Sequence, residues 1–147
     1  LVKKIVKKLH KFEIDKKVNH FGNLKEFGLN TFRKRNSLVK LIRKLKSQGK
    51  RIVGYGASGR ATVHINFCKF NNKIIDYVVD ASHERQGRFI PGMNIPIISP
   101  KKFKMDNPDY AILFAYNYFD EVVKKERDFI KRGGKFILPL PTPKIVK

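Results

Sequence analysis

The residues best suited to chemistry stand in one short run, Arg51-Ile-Val-Gly-Tyr-Gly-Ala-Ser-Gly-Arg60. Its three glycines, Gly54, Gly56 and Gly59, form a GxGxxG pattern. A β-branched pair precedes the pattern, Ile52 and Val53, and Arg60-Ala-Thr-Val-His-Ile65 follows at a spacing that a helix accepts. Strand, glycine turn and helix in that order favour a phosphate or nucleotide site. The first glycine is expected to allow a tight turn, the second to let backbone approach the ligand, and the third to let helix and strand pack closely. Free amides at the helix start then face the anion. Arg60 and Arg88 are suited on electrostatic grounds to a diphosphate. The plain alternative is a turn that only closes a strand–helix unit.

Other chemistry is thinner. Asp80 ends an apolar run, Ile74-Ile-Asp-Tyr-Val-Val79, where an acid either bonds a ribose hydroxyl or caps the next turn. His83, Gln86 and Arg88 follow in a loop over the same strand end, and His83 is the better histidine for ligand contact. His64 reads as a partly buried packing residue. The histidines (His10, His20, His64, His83) share no i, i+3 or i, i+4 spacing, so no metal site is expected. Cys68 lies in an apolar helix and reads as a small core residue. Ser58 is not in a GxSxG elbow, and no GK[ST] follows the turn, which argues against a hydrolase nucleophile and an ATPase. A complete S-adenosylmethionine site is disfavoured because Arg51, not an acid, opens the first strand.

The 147 residues suffice for one domain with a core, and 41% hydrophobic with 12% aromatic residues is a globular composition. A single cysteine allows no disulfide, no apolar run is long enough to span a membrane, and a cytoplasmic protein is expected. The opening residue is Leu, which suggests a piece of something longer. The net charge is +21, with 16 basic and 3 acidic residues among the first 50. Such a charge attracts polyanions. It also fits a lysine-rich composition with solvated side chains.

Residues 1–18 read as a basic amphipathic helix carrying Val2, Ile5, Val6, Leu9 and Phe12 on one stripe. It suits docking on a neighbouring domain or an anionic surface. Asn19–Gly28 reads as a loop broken at Gly22 and Gly28, with Asn30 or Thr31 capping a second helix that ends at Gly49. Strands follow at 51–55, 74–79, 110–115 and 135–139, with helices at 58–68 and 119–132. Residues 81–100 form a glycine- and proline-shaped excursion in which 89–90 and 95–98 pair as short strands. Residues 140–147 form an extended tail. The alternation predicts a parallel, right-handed α/β sheet.

Several stretches together are more specific than the turn. Lys50-Arg-Ile-Val-Gly-Tyr-Gly-Ala-Ser-Gly-Arg-Ala-Thr62, Ile75-Asp-Tyr-Val-Val-Asp80, Gln86-Gly-Arg-Phe-Ile-Pro-Gly92 and Ile95-Pro-Ile97 come in that order. Pro108-Asp-Tyr110, Ala115-Tyr-Asn117 and Arg132-Gly-Gly-Lys-Phe-Ile137 complete the series. Over residues 31–147 the chain resembles the C-terminal domain of the sugar C-methyltransferase family. The resemblance implies a Rossmann-like three-layer α/β domain with a mostly parallel sheet, preceded by N-terminal helices, with residues 1–30 as a basic helical extension. It implies that the full enzyme uses S-adenosylmethionine, bound by a separate domain in cis or in trans, beside a cysteine-bound zinc module. The general base of that family lies in the middle domain, so this chain is expected to be inactive alone. The turn is then expected to hold a nucleotide-linked keto-deoxysugar. By matching position the resemblance implies Gly54, Tyr55, Gly56, Ala57, Ser58, Gly59, Asp80, His83, Gln86, Gly87, Pro91 and Asn117 as substrate-binding. Two rivals stand beside it: an NAD(P)-binding module of an oxidoreductase or redox sensor, and a basic nucleic-acid-binding protein. No base-reading motif supports the second rival.

Overall fold

The computed structural model describes residues 2–146; Leu1, Lys147 and the Val2 side chain lie outside the description. Two helices come first, α1 (Val2–Asp15) and α2 (Phe21–Ser47). Then follow β1 (Ile52–Tyr55), α3 (Gly59–Cys68), β2 (Val78–Val79), β3 (Phe89–Ile90) and β4 (Ile95–Ile98). The chain continues through α4 (Pro100–Met105), β5 (Tyr110–Leu113), a 3-10 turn at Tyr116–Tyr118, α5 (Phe119–Lys125), α6 (Arg127–Lys131), β6 (Lys135–Leu138) and β7 (Lys144–Val146). By contacts it divides into Leu1–Arg33 and Lys34–Lys147, and the division falls within α2.

In the second unit the strands form one sheet in the order β3-β4-β2-β1-β5-β6-β7. The middle pairs are parallel, Gly54 beside Val78 and Ile112, and Ile97 beside Val78. Only the outermost strands, β3 and β7, run antiparallel to their neighbours. β1 and β5 are buried along their whole length, as central parallel strands with both faces covered must be. On one face Leu38, Ile42 and Leu45 of α2 and Ala61, Ile65 and Cys68 of α3 pack against Ile52, Val78 and Ile112. On the other face Phe103 of α4, Val122 of α5 and Phe129 of α6 pack against Val53, Leu113 and Phe136. The result is the expected three-layer α/β sandwich. Burial pushes the Cys68 thiol up to about 11, although Arg35 pulls the other way, which suits a core residue.

The departures from the sequence reading have physical causes. Asn19–Gly28 is mostly helix. The His20 carbonyl accepts from the amides of Asn23 and Leu24, so α2 starts at Phe21 and runs through Gly22 and Gly28. A helical glycine costs only about 1 kcal/mol, which a 27-residue helix absorbs. Thr31 is therefore no cap; its hydroxyl donates to the Phe27 carbonyl one turn back. The second strand shrinks to Val78–Val79 because Ile74 and Ile75 close a turn on the Asn71 carbonyl. The β3–β4 pair forms as expected, but β4 also joins the main sheet beside β2. α4 was not anticipated; Ser99 caps it, accepting from the Lys102 amide, and Pro100 fills its first position. The helix expected over 119–132 is broken at Glu126, and the tail pairs as β7 with β6.

In the first unit no residue from 3 to 33 is buried. Lys17 takes a left-handed conformation (φ 52°), with its carbonyl bonded to the Asn23 side-chain amide and the His20 amide. Glu26 pairs with Arg33 on the surface of α2.

Candidate functional site

β1 sits between β2 and β5. The chain leaves β1 for β2 and β4 on one side, and later fills the other side with β5 and β6. Connections that diverge in this way leave a crevice at the carboxyl ends of the central strands, where open α/β sheets bind ligands. Three segments reach it: the glycine turn after β1, residues 80–88 after β2, and residues 114–118 after β5.

The glycines divide their roles differently from expectation. Gly54 is inside β1, and a Cβ there would stand 2.9 Å from both Phe114 and Val78 side chains. It is there for packing. Gly56 makes the turn, with φ +90°, and a Cβ would lie 2.8 Å from that of Ala115. The close approach at Gly56 is thus to the neighbouring loop. Gly59, the first residue of α3, is the open one: a Cβ there meets nothing within 4 Å.

Asp80 holds this turn from beneath. One carboxylate oxygen accepts from the Ala57 amide at 2.7 Å and from Arg85 at 3.2 Å, and the other accepts from the Ser82 amide at 2.8 Å. Of the two roles open to Asp80, this is the turn-capping one. Gln86 braces the same loop by donating to the Asp80 carbonyl. Gly87 turns the chain into β3 with φ +76°. His83 and Arg88 are exposed on that loop. Pro91 is not brought to the turn. Its carbonyl accepts from Asn66 near the far end of α3, about 10 Å of helix beyond Gly59.

On the α3 side the groups around the turn lack partners. Ser58 occupies the cap position, yet its buried hydroxyl bonds nothing. The first amides of α3 have no intrahelical acceptor, as at any helix start. The Arg60 guanidinium lies over the Tyr116 ring at 5.1 Å and, among the described residues, pairs with no carboxylate within 4 Å. Tyr116 in turn meets the His64 ring edge-on at 6.4 Å, and His64 Nδ1 is 2.9 Å from the Arg60 carbonyl. His64 is half-buried, as expected. Asn117 is exposed beside Tyr116. Tyr116 was visible in the sequence as an aromatic directly after a strand. Its pairing with Arg60 depended on a fold that brings residues 60 and 116 together.

The opposite face of the crevice holds a cleft of about 330 Å³ between the β1 and β2 ends and α5. Tyr55, Asp80, Tyr118, Glu121 and Lys125 line it. Tyr55 contributes only its ring. Its hydroxyl donates to Glu126 at 2.8 Å, in the interior. Burial, and then the Glu126 carboxylate, hold that hydroxyl well above the ordinary phenol range. Tyr55 therefore serves as a buried structural donor to Glu126. Among the described residues no three His, Cys, Asp or Glu side chains converge as metal ligands. No described helix is long and apolar enough to cross a membrane.

The family model described as the C-methyltransferase C-terminal domain matches residues 2–141, taking in both N-terminal helices and strands β1 to β6. The chain is 34% identical over 122 residues to the C-methyltransferase NovU of Streptomyces niveus. That alignment covers 83% of this chain and 29% of the relative, so the chain spans under a third of the relative's length. On both counts, this chain belongs to the C-methyltransferase family, as its C-terminal domain.

Proposed function

We propose that this domain holds the acceptor of a C-methyltransferase, a nucleotide-linked keto-deoxysugar, by its diphosphate at the start of α3. The observation that carries the reading is the set of donors around an open Gly59: the first amides of α3, the Ser58 hydroxyl and the Arg60 guanidinium. Buried polar groups are ordinarily hydrogen-bonded, so an unpartnered hydroxyl beside free amides and an unpaired arginine favours an anion there. Tyr116 keeps Arg60 at the turn, and Asp80 fixes the turn's shape from below. Gly54, Gly56, Ala57, Gln86 and Gly87 serve as scaffold, while His83, Arg88 and Asn117 stand at the rim. Of the set implied by the resemblance, Ser58 and Gly59 remain as direct contacts, joined by Arg60, which was suggested on electrostatic grounds.

We assign no S-adenosylmethionine to this turn: donors from Ala57, Ser82 and Arg85 already occupy most of the acceptor capacity of the Asp80 carboxylate, which weighs against a ribose diol there. The same engagement disfavours NAD(P). The methyl donor is assigned to another part of the enzyme, and the 147-residue chain alone is inactive in transfer.

Calorimetric titration with a dTDP-sugar, NAD and duplex DNA at two salt concentrations tests this. The variant is Gly59→Val and not Gly56→Val, because the latter collides with Ala115 and would weaken the fold itself. Gly59→Val should leave the thermal midpoint nearly unchanged and weaken sugar-nucleotide binding at least ~10-fold, about 1.4 kcal/mol. Binding of NAD in place of the sugar nucleotide would replace the reading with a dehydrogenase-like module. Salt-sensitive DNA binding alone would make the charge the functional feature.

A further inference from the structure

We propose that the apolar faces of α1 and of residues 21–33 of α2 form a docking surface for the remainder of the enzyme, the part that binds the methyl donor. This rests on reading the chain as one domain of a larger C-methyltransferase. Ile5, Leu9 and Phe12 of α1 and Phe21, Leu24 and Phe27 of α2 are all more than half exposed, Phe21 by 77% and Phe27 by 74%. At 100° per residue, Ile5, Val6, Leu9 and Phe12 share one third of the circumference of α1, and Lys3, Lys4, Lys7, Lys8 and Lys11 share the opposite side. A 14-residue helix is marginal in water by itself, so a surface of this kind is completed by what covers it. Gly28, one turn after Leu24, has nothing within 4 Å of a Cβ, which leaves room for a partner's backbone.

Three observations select the occupant. Residues 1–33 carry nine basic and three acidic side chains, so two copies of the face would repel. Glu13 lies on the apolar arc of α1, four residues on from Leu9. Pressing that carboxylate onto an anionic lipid surface is unfavourable, whereas a protein face can meet it with a base. The family match that takes in both helices is described as a C-terminal domain, and the separate alignment to NovU covers 29% of that relative. On the proposed reading the helices thus belong to a domain that adjoins a larger part of the polypeptide.

Hydrogen exchange read by mass spectrometry tests this on the 147-residue chain and on the polypeptide that joins it to the methyl-donor part. Amides of α1 and of residues 21–33 should be at least ~10-fold more protected in the longer polypeptide. Leu9→Asp and Phe27→Asp, both at exposed positions, should remove that protection and leave the amides of β1 and β5 unchanged. Equal exchange in the two forms, or protection untouched by both variants, overturns the proposal. So does protection in the short chain that rises with its concentration, which would mean a second copy. Protection that appears only with phosphatidylglycerol vesicles would mean lipid and overturns it equally. Sugar-nucleotide affinity is measured on the same samples. Its absence in the unmutated protein counts against the acceptor-binding reading, and the docking result stands or falls separately.

Discussion

Two aromatic residues of the same type, Phe12 in α1 and Phe129 in α6, have opposite fates. Phe12 is 55% exposed, with the Lys16 ammonium 5.9 Å from the centre of its ring. Phe129 is 1% exposed, with the rings of Phe103 and Phe136 at 5.0 and 5.2 Å and Gly134 pressed against it. The difference holds for their whole regions. From Leu38 onward most apolar side chains find a sheet face, and among the described residues before it none is buried. Hydrophobicity alone therefore says only that a side chain needs cover. Whether the cover comes from the chain itself depends on the elements that reach it.

The sharpest way to break the comparison is truncation on both sides. Phe129→Ala should cost about 3–5 kcal/mol through lost burial and a cavity, while Phe12→Ala in the isolated chain should stay within about 0.5 kcal/mol. Urea midpoints at constant slope measure both. Equal losses would mean that α1 is covered by this chain after all.

Next in size is the buried polar pair. Glu126→Ala leaves the Tyr55 hydroxyl without its acceptor in the interior, and about 1–3 kcal/mol should be lost. Glu126→Gln keeps an acceptor and should recover most of it. If the two variants melt alike, the hydrogen bond does not matter there.

A smaller effect concerns the amino edge of the sheet. Arg51 grips Asp106 through two bonds of 2.7 and 2.8 Å, and the Tyr77 hydroxyl donates to the same carboxylate at 2.7 Å. The arginine, and then Tyr77, hold the Asp106 carboxyl well below the ordinary range, against its partial burial. A depressed carboxylate stabilises the fold above its unfolded pKa of about 4, and the gain is lost as pH falls from there through the folded value. Arg51 is 47% exposed, so screening limits the gain to about 1 kcal/mol. Asp106→Asn should be less stable than the parent at pH 7, with the gap closing in strong acid. A gap independent of pH would assign the loss to packing.

The smallest effect is Gly28→Ala. A methyl group there meets nothing, so helicity should rise, worth about 0.5–1 kcal/mol to α2. Far-ultraviolet circular dichroism of the chain checks it. In the polypeptide that contains the docking partner the same change should weaken protection of α1, where the methyl group would intrude.

Much of the second unit was legible because its patterns are local. Ile52-Val53 before a glycine turn, Ala61 and Ile65 one turn apart, and Gly133-Gly134 after a helix each carry their own structural reason. The misreadings came from competition between neighbours. Gly22 and Gly28 look like breakers, but the propensity of 27 residues outweighs them. Ile74 and Ile75 look like strand, but a turn bond to Asn71 takes their amides. Ser99-Pro100 is a helix start whose local signal is masked by the proline-rich loop before it. In the candidate site, Gly59 could be named from spacing, Ser58 from the resemblance and Arg60 from its charge, but Tyr116 could not be linked to them.

By itself the sequence determined the α/β alternation, the place of the glycine turn and the membership in the C-methyltransferase family. These rest on periodicity and on motifs that each fit within a few residues. Only the tertiary structure decided which glycine faces open space, that Asp80 is engaged under the turn and that Arg60 meets Tyr116. Each of these depends on residues far apart in the chain, brought together when parallel strands take an order that the linear pattern does not specify.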